Sequence, residues 1–103
     1  MKIQNNTQNT SFGQLVPTKP LLKSALKIHN FEEGRELYLS TSTAFPGNVG
    51  YYKKAIEIAQ NAVKKNENIK NIIDKLKITP KNELPIALND AVNTLGKNVD
   101  INI

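Results

Sequence analysis

The chain has 103 residues, of which 39% are hydrophobic and 22% charged, and its formal net charge is +5 at pH 7. This length supports one domain with a modest core. The absence of cysteine excludes a disulfide framework, a thiolate zinc site and a cysteine nucleophile. There is no run of about 18 apolar residues and no apolar stretch behind Lys2, so we expect neither a membrane span nor a secretory signal.

The positive charge is concentrated in the middle of the chain. Lysine supplies every basic residue except Arg35, and lysine, asparagine and isoleucine are all abundant, a bias also expected from A/T-rich codons. Residues 49–81 hold eight lysines and three acidic residues, whereas residues 82–103 have a net charge of −2. Because arginine matches phosphate and guanine best, its scarcity weakens a hypothesis of base reading. The basic middle third indicates a charged face, with nucleic-acid binding as the sharper alternative.

The first 13 residues, MKIQNNTQNTSFG, contain no acidic residue and few apolar ones. Such a segment buries too little surface to offset its ordering entropy, so we predict a flexible N-terminal arm over residues 1–13. Pro17 and Pro20 then indicate an extended segment that leads into a single domain covering residues 14–103.

Two segments predict the strands of a hairpin. Leu22 to Ile28 alternates with a period of two, which is typical of a half-buried strand, although a helix from Leu21 to Ile28 also fits. A turn-like cluster at residues 30–34 follows, and Glu36 to Thr43 is rich in β-branched and aromatic residues. These neighbours favour the strands and a connecting loop of about five residues.

Apolar residues at helical spacing predict two helices after the hairpin. The first is capped by Asn48 and buries one stripe, formed by Val49, Tyr52, Ile56, Ala59 and Val63. The second buries another stripe, formed by Ile69, Ile72, Ile73 and Leu76. The two stripes are rotated by about 130° around a helix axis, which predicts a break or strong kink around residues 65–68.

A third helix and a closing strand complete the prediction. The helix is capped near Asn82, carries Pro85 in its first turn and ends at Gly96. Its buried face comprises Leu84, Leu88, Ala91 and Leu95. Val99, Ile101 and Ile103 alternate with polar residues and predict a strand. The fold class is α+β: a small antiparallel sheet, made of the hairpin and the C-terminal strand, with about three helices packed on one face.

Catalytic candidates are few. His29 is the only histidine, and Glu32, Glu33 and Glu36 are the nearest groups that could orient it as a general base. A single polar residue on an exposed strand face more commonly has no such role. The acidic residues lack the spacing of a metal site, so we predict no metal, no cofactor and no enzymatic activity.

Residues 47–50 form a G-x-x-G between a predicted strand and a predicted helix. Free N–H groups at a helix N-terminus attract anions, and KH domains clamp a nucleic-acid backbone with a similar loop. The segment lacks the G-K-[ST] ending of a P-loop, and a turn leading into the helix is the more common reason for such a pair of glycines.

The lysines of residues 49–81 form the broadest candidate surface: Lys53, Lys54, Lys64 and Lys65, joined by Lys70, Lys75, Lys77 and Lys81. Tyr51 flanks them and can stack on a base. A solvated helical face explains the same residues, but an acidic partner would dock here. The predicted partner-binding residues are Tyr51, Lys53, Lys54, Lys64, Lys65 and Lys70.

The arm at residues 1–13 looks like the openings of many small proteins from gut bacteria and their phages. A compact, cysteine-free chain of this size, rich in asparagine, lysine and isoleucine, also resembles the small anti-CRISPR proteins of the type II-A group. Those proteins inhibit the RNA-guided DNA nuclease of the host's immune system, and they share no common fold or site. The resemblance implies action in the cytoplasm of the bacterial host cell.

The resemblance implies a non-enzymatic inhibitor that binds a type II CRISPR effector nuclease, its guide RNA or its target DNA. Many such inhibitors are acidic DNA mimics, but a charge of +5 disfavours mimicry because like charges would meet in a basic channel. The alternative is a small basic nucleic-acid-binding protein that uses Lys53, Lys54, Lys64 and Lys65. A further alternative is a small ribonuclease-type toxin that relies on His29 and the glutamates.

Overall fold

The structure is a computed structural model that describes residues 13–28, 31–41 and 51–102. The described residues form five helices and two strands. In chain order they are β1 (Gly13–Pro17), α1 (Thr18–Ala25), α2 (Phe31–Ser40), α3 (Tyr51–Lys65), α4 (Glu67–Lys77), α5 (Leu84–Leu95) and β2 (Asn98–Asn102). No helix among these has the length and apolar character needed to cross a membrane.

Helix α1 lies at the centre of the core. Its Leu21 and Leu22 side chains are fully buried, and the helix contacts α2, α3, α5 and β1. Pro20 is tolerated because it falls in the first turn, where a helical N–H has no partner inside the helix. Helices α2, α3 and α5 therefore pack around α1, and α4 packs against α3 and α5.

The two strands form an antiparallel pair that joins the two ends of the described chain. Val16 pairs with Val99, and Leu15 pairs with Asp100. Val16, Val99 and Ile101 are buried, whereas Leu15 and Asp100 are exposed, as expected from alternation along a strand. The predicted C-terminal strand is confirmed over Asn98–Asn102. Its partner β1 begins at Gly13, the last residue of the predicted arm, and residues 1–12 of that arm lie outside the described residues.

The predicted hairpin is wrong. Leu22 to Ile28 falls mostly in α1, and the described part of Glu36 to Thr43 falls mostly in α2. The α+β class with a hairpin and about three helices is therefore replaced by a mostly helical fold, in which five described helices pack against a small two-stranded sheet.

Packing across the core explains this error. Leu21, Leu22 and Ala25 are buried together, which a helix allows and an alternating strand does not. The buried positions of α2 are Gly34 and Leu37, and Thr41, directly after the helix, is buried as well, a spacing of three and four residues. The strand preference of β-branched and aromatic residues depends on context, and burial against other helices overrides it here.

The predicted break between two helices is confirmed. Asn66 separates α3 from α4, and its side-chain oxygen accepts a hydrogen bond from the Ile69 N–H at 3.2 Å. The asparagine thus satisfies one of the free N–H groups at the start of α4. The α4 stripe is confirmed as well, since Ile69, Ile73 and Leu76 are buried and Ile72 is half-buried.

The buried face of α3 differs from the predicted stripe. The buried residues are Ala55, Ile58, Ala59 and Ala62, whereas Ile56 and Val63 are only half-buried. Small alanine side chains let α3 approach α1 and α2 closely, so the alanine-rich side faces the core. The proposed cap, Asn48, lies outside the described residues.

Helix α5 follows its prediction closely. It spans Leu84–Leu95 with Pro85 in the first turn, and Leu88 and Ala91 are buried. The capping position is Glu83, one residue after the predicted Asn82, and its side chain makes no capping hydrogen bond. Gly96 ends the helix with φ +95° and ψ 168°, a region that essentially only glycine adopts.

Candidate partner-binding surface

Four exposed lysines share one side of α3: Lys53, Lys54, Lys64 and Lys65. We call this side the α3 basic face. In an α-helix, Lys53 and Lys64 lie about 20° apart around the axis and about 16 Å apart along it, and the same holds for Lys54 and Lys65. The four ammonium groups therefore extend in two rows along the helix. They face solvent because the opposite, alanine-rich side is buried.

One carboxylate lies within the α3 basic face. Lys54 Nζ and Glu57 Oε1 are 3.7 Å apart, and both side chains are more than half exposed. An exposed pair of this kind contributes about 0.5 kcal/mol or less and is screened by salt. The face therefore keeps a positive excess. Tyr51 is the first residue of α3, and its side chain lies outside the described part of the structure.

A groove between α3 and α4 brings two of the predicted site residues together. We call it the α3–α4 groove; its volume is about 350 Å³. Lys64 from α3 and Lys70 and Lys77 from α4 line it, together with Asp74. Ala25, Val63 and Ile73 form its apolar part. The predicted residues Lys53, Lys54 and Lys65 are not among its lining residues, so the structure divides the predicted site into a helix face and a groove.

The position of the α3–α4 groove depends on the break between the two helices that the sequence predicts. Asn66 caps α4, its N–H donates to the Ala62 carbonyl at 3.0 Å, and its own carbonyl accepts from the Lys70 N–H at 2.9 Å. One residue therefore links both helices and fixes where α4 begins relative to α3. Asp74 belongs to the groove because it lies one helical turn from both Lys70 and Lys77, and the predicted site did not include it.

A second groove, between α1 and α5, contains lysines that the predicted site did not include. We call it the α1–α5 groove; its volume is about 270 Å³. Lys19 and Lys23 of α1 line it with Lys81, which precedes α5. The signal in the sequence is the spacing of four residues between Lys19 and Lys23, which places both on one side of a helix. The strand interpretation of residues 22–28 concealed that spacing.

Lys23 also makes an ion pair with α2. Its Nζ lies 2.6 Å from Glu33 Oε1, and the two side chains are only 23% and 17% exposed. Partial burial weakens the screening of this pair, so it ties α1 to α2 more firmly than the exposed pair on α3.

No three histidine or acidic side chains of the described residues lie close enough together to hold a metal ion. His29 and the G-x-x-G at residues 47–50 lie outside those residues. What the described surface offers chemically is a set of ammonium groups beside short apolar stretches. Ammonium groups on lysine act as flexible point charges with three hydrogen-bond donors, and they attract carboxylates and phosphates.

Comparison with protein-family models, with curated proteins and with solved structures finds no match for this chain. Its function must therefore be argued from its own residues and surfaces.

Proposed function

We propose that this chain is a non-enzymatic inhibitor of a type II CRISPR effector nuclease, and that it binds the nuclease or its nucleic acid through the α3 basic face and the α3–α4 groove. We assign this surface from the exposed lysines on two adjoining helices: Lys53, Lys54, Lys64, Lys65, Lys70 and Lys77. We infer the partner, a type II CRISPR effector nuclease, from the resemblance of the chain to small anti-CRISPR proteins. Such an inhibitor acts in the cytoplasm of the host bacterium, where the nuclease is found.

The charge of this surface limits the mechanism. A nuclease channel that holds DNA is basic, and the α3 basic face would be repelled from it. The inhibitor therefore does not occupy the channel as a substitute for DNA. It binds an acidic surface of the nuclease, or the guide RNA or target DNA in the assembled complex.

The α3–α4 groove favours an acidic protein surface over a nucleic-acid backbone. Its apolar part, formed by Ala25, Val63 and Ile73, suits an aliphatic side chain of a partner. Asp74 on the same groove repels phosphate groups that approach closely. A protein surface can place a carboxylate on the lysines and a hydrogen-bond donor on Asp74 at the same time, and a phosphate backbone cannot.

The α3 basic face supports nucleic-acid binding as the second candidate function. Four lysines and one glutamate in two rows make a sequence-independent contact with a phosphate backbone possible. Fluorescence anisotropy with labelled DNA and RNA at two salt concentrations tests this second candidate. Binding of free nucleic acid that weakens steeply with salt supports the second candidate, and no binding at low salt eliminates it.

A cleavage assay with purified nuclease, guide RNA and target DNA tests the leading proposal. We expect the wild-type chain to reduce cleavage, and the double variant Lys64→Glu/Lys70→Glu to lose most of that effect. The control is Lys75→Glu/Lys97→Glu, which makes the same change in charge at two exposed lysines outside this surface. Undiminished cleavage at a large excess of the wild-type chain contradicts the proposal. Equal losses in both variants contradict the assigned surface.

A further inference from the structure

The α1–α5 groove combines positive charge with exposed apolar surface. Three ammonium groups and three aliphatic side chains line it: Lys19, Lys23 and Lys81, with Ile28, Leu84 and Leu88. Leu88 belongs to the buried core, whereas Ile28 is 44% exposed. The groove therefore has a hydrophobic floor that continues into the core and a rim of cations.

The end of α1 brings Ile28 to this groove. The Ile28 N–H donates to the Lys23 carbonyl at 2.7 Å, and the Lys27 N–H donates to the Ser24 carbonyl at 2.9 Å. Lys27 has φ +61°, so these bonds form the Schellman motif that ends many helices. In this motif the residue after the left-handed position packs against the last turn, which here places Ile28 beside Lys23.

The groove has a positive excess that the described residues do not neutralise. Lys19 and Lys23 are four residues apart on one helix, a spacing at which like charges repel. None of the described residues that line the groove is acidic. Within the described part of the chain, no carboxylate forms an ion pair with Lys19 or Lys81, and Glu33 pairs with Lys23 from outside the groove. A ligand with carboxylates would relieve this repulsion.

The groove is small, and its lining combines apolar and cationic side chains. Its volume is about 270 Å³. It can take one aliphatic side chain, while the cations at the rim take carboxylates on either side of that anchor.

We propose that the α1–α5 groove binds a short acidic peptide segment of a partner protein, with one aliphatic anchor side chain between carboxylates. The anchor packs on Ile28, Leu84 and Leu88, and the carboxylates bind Lys19, Lys23 and Lys81. This proposal does not depend on the α3–α4 groove or on the identity of any nuclease.

The ion pair between Lys23 and Glu33 competes with a ligand for one of the groove's cations. Because Glu33 already binds the Lys23 ammonium at 2.6 Å, a ligand carboxylate must share that cation with it. Glu33→Gln keeps a side-chain oxygen for Lys23 but removes the competing negative charge. We therefore expect this substitution to strengthen peptide binding, whereas loss of a merely structural ion pair would leave binding unchanged or weaken it.

The test uses the full chain and a fluorescein-labelled heptapeptide, with a central leucine flanked on each side by two glutamates and a terminal glycine. Two comparison peptides replace the glutamates with glutamine, or the leucine with glycine. We expect measurable binding of the first peptide by fluorescence anisotropy at low salt, and affinity at least about tenfold lower for each comparison peptide. Equal binding of the three peptides overturns the proposal.

Matched variants locate the site. Lys19→Glu/Lys81→Glu should lower affinity for the acidic peptide about tenfold or more, and Lys70→Glu/Lys77→Glu, with the same change in charge, by less than about twofold. Glu33→Gln should raise affinity about two- to fivefold. Thermal melting checks that each variant is folded, and Lys19→Gln/Lys81→Gln replaces the charge reversal if that variant unfolds.

Other outcomes contradict the proposal. A larger loss in Lys70→Glu/Lys77→Glu than in Lys19→Glu/Lys81→Glu moves the peptide to the α3–α4 groove. Weaker binding by Glu33→Gln would show that Glu33 does not compete with the peptide for Lys23. Tighter binding of a 12-nucleotide single-stranded DNA with the same response to the variants makes the groove a nucleic-acid site. Amide NMR shifts on peptide addition should map to residues 19–28 and 81–89, and shifts confined to α3 and α4 overturn the assignment.

Discussion

The α3–α4 groove and the α1–α5 groove are both lined by three lysines, but they are held together in different ways. The first lies between helices that are neighbours in the sequence and share Asn66 as their junction. The second lies between helices from opposite ends of the chain. There the Thr18 hydroxyl donates to the Gly96 carbonyl at 2.5 Å, across a separation of 78 positions. Local capping builds one groove, and a long-range contact builds the other.

The two grooves also differ in charge. Asp74 lies among the lysines of the α3–α4 groove, whereas no described lining residue of the α1–α5 groove is acidic. A purely acidic segment therefore fits the α1–α5 groove better, and a partner with mixed charge fits the α3–α4 groove. We therefore expect the two similar sets of lysines to select different partners.

The largest expected effect comes from the helix that both grooves share. Leu21→Ala removes a fully buried side chain from α1 and should lower the free energy of unfolding by about 2–5 kcal/mol. Chemical denaturation measures this change. Leu15→Ala is the control, because Leu15 is 64% exposed, and it should change stability by about 0.5 kcal/mol or less. Similar losses in the two variants would contradict the central position of α1.

Gly96→Ala should cause the next largest loss of stability, and it changes a residue at the end of α5, one of the two helices that form the α1–α5 groove. The backbone at φ +95° and ψ 168° strains any residue with a Cβ, at a cost of about 1–3 kcal/mol. The control is Lys97→Ala at the adjacent exposed position, with an expected change within about 0.5 kcal/mol. Denaturation midpoints that are equal for both variants would contradict the backbone argument.

Thr18→Val tests the long-range contact itself. The substitution keeps the shape of the buried side chain but removes the hydrogen bond to Gly96, so we expect a loss of about 1–2 kcal/mol. Thr94→Val is the matched control, because the Thr94 hydroxyl also donates to a backbone carbonyl, that of Asp90 at 2.9 Å, but is exposed. If the two variants lose the same stability in urea denaturation, the Thr18 contact does not hold the ends together.

Asn66→Ala should loosen only the α3–α4 side. Loss of the capping hydrogen bond to Ile69 should cost about 1 kcal/mol. Asn66→Asp, which retains a capping oxygen, should preserve stability, and so should Asn68→Ala at an exposed position inside α4. Hydrogen exchange should speed up at the first amides of α4 in Asn66→Ala; faster exchange in α1 instead would show that the grooves are not independent.

The smallest effect is expected from Asp74→Asn, which removes the difference in charge between the grooves. In the Lys19→Glu/Lys81→Glu background, where binding at the α1–α5 groove is weakened, it should raise the affinity of the α3–α4 groove for the acidic heptapeptide about two- to fivefold by fluorescence anisotropy, with little change in stability. Asp100→Asn on β2 is the control and should leave binding unchanged. Equal effects of the two substitutions would assign the gain to net charge rather than to the groove.

Sequence patterns predicted the secondary structure of the C-terminal half because the signals there are local. The rotation between two apolar stripes marks a break around residues 65–68, Pro85 and Gly96 bracket a helix, and the alternation at Val99 and Ile101 marks a strand. Capping preferences and side-chain period act over a few residues, so they can be read without knowing the rest of the fold.

The prediction for the N-terminal half was wrong because its sequence patterns are compatible with two structures. Between Leu22 and Ile28 the apolar residues fit both a period of two and one side of a helix. The buried neighbours Leu21 and Leu22 decide for the helix, and their burial depends on α2, α3 and α5 closing around them. The same error hid the spacing of Lys19 and Lys23, and with it the α1–α5 groove.

The sequence by itself determined the positive charge, its concentration in residues 49–81, the break around residues 65–68 and the three elements that follow it. Only the tertiary structure decided that residues 18–25 and 31–40 are helical, that the alanine-rich side of α3 faces the core, and that Lys19, Lys23 and Lys81 lie on one groove. The reason is physical. Charge and capping belong to residues and their near neighbours, whereas burial depends on which distant helices pack together.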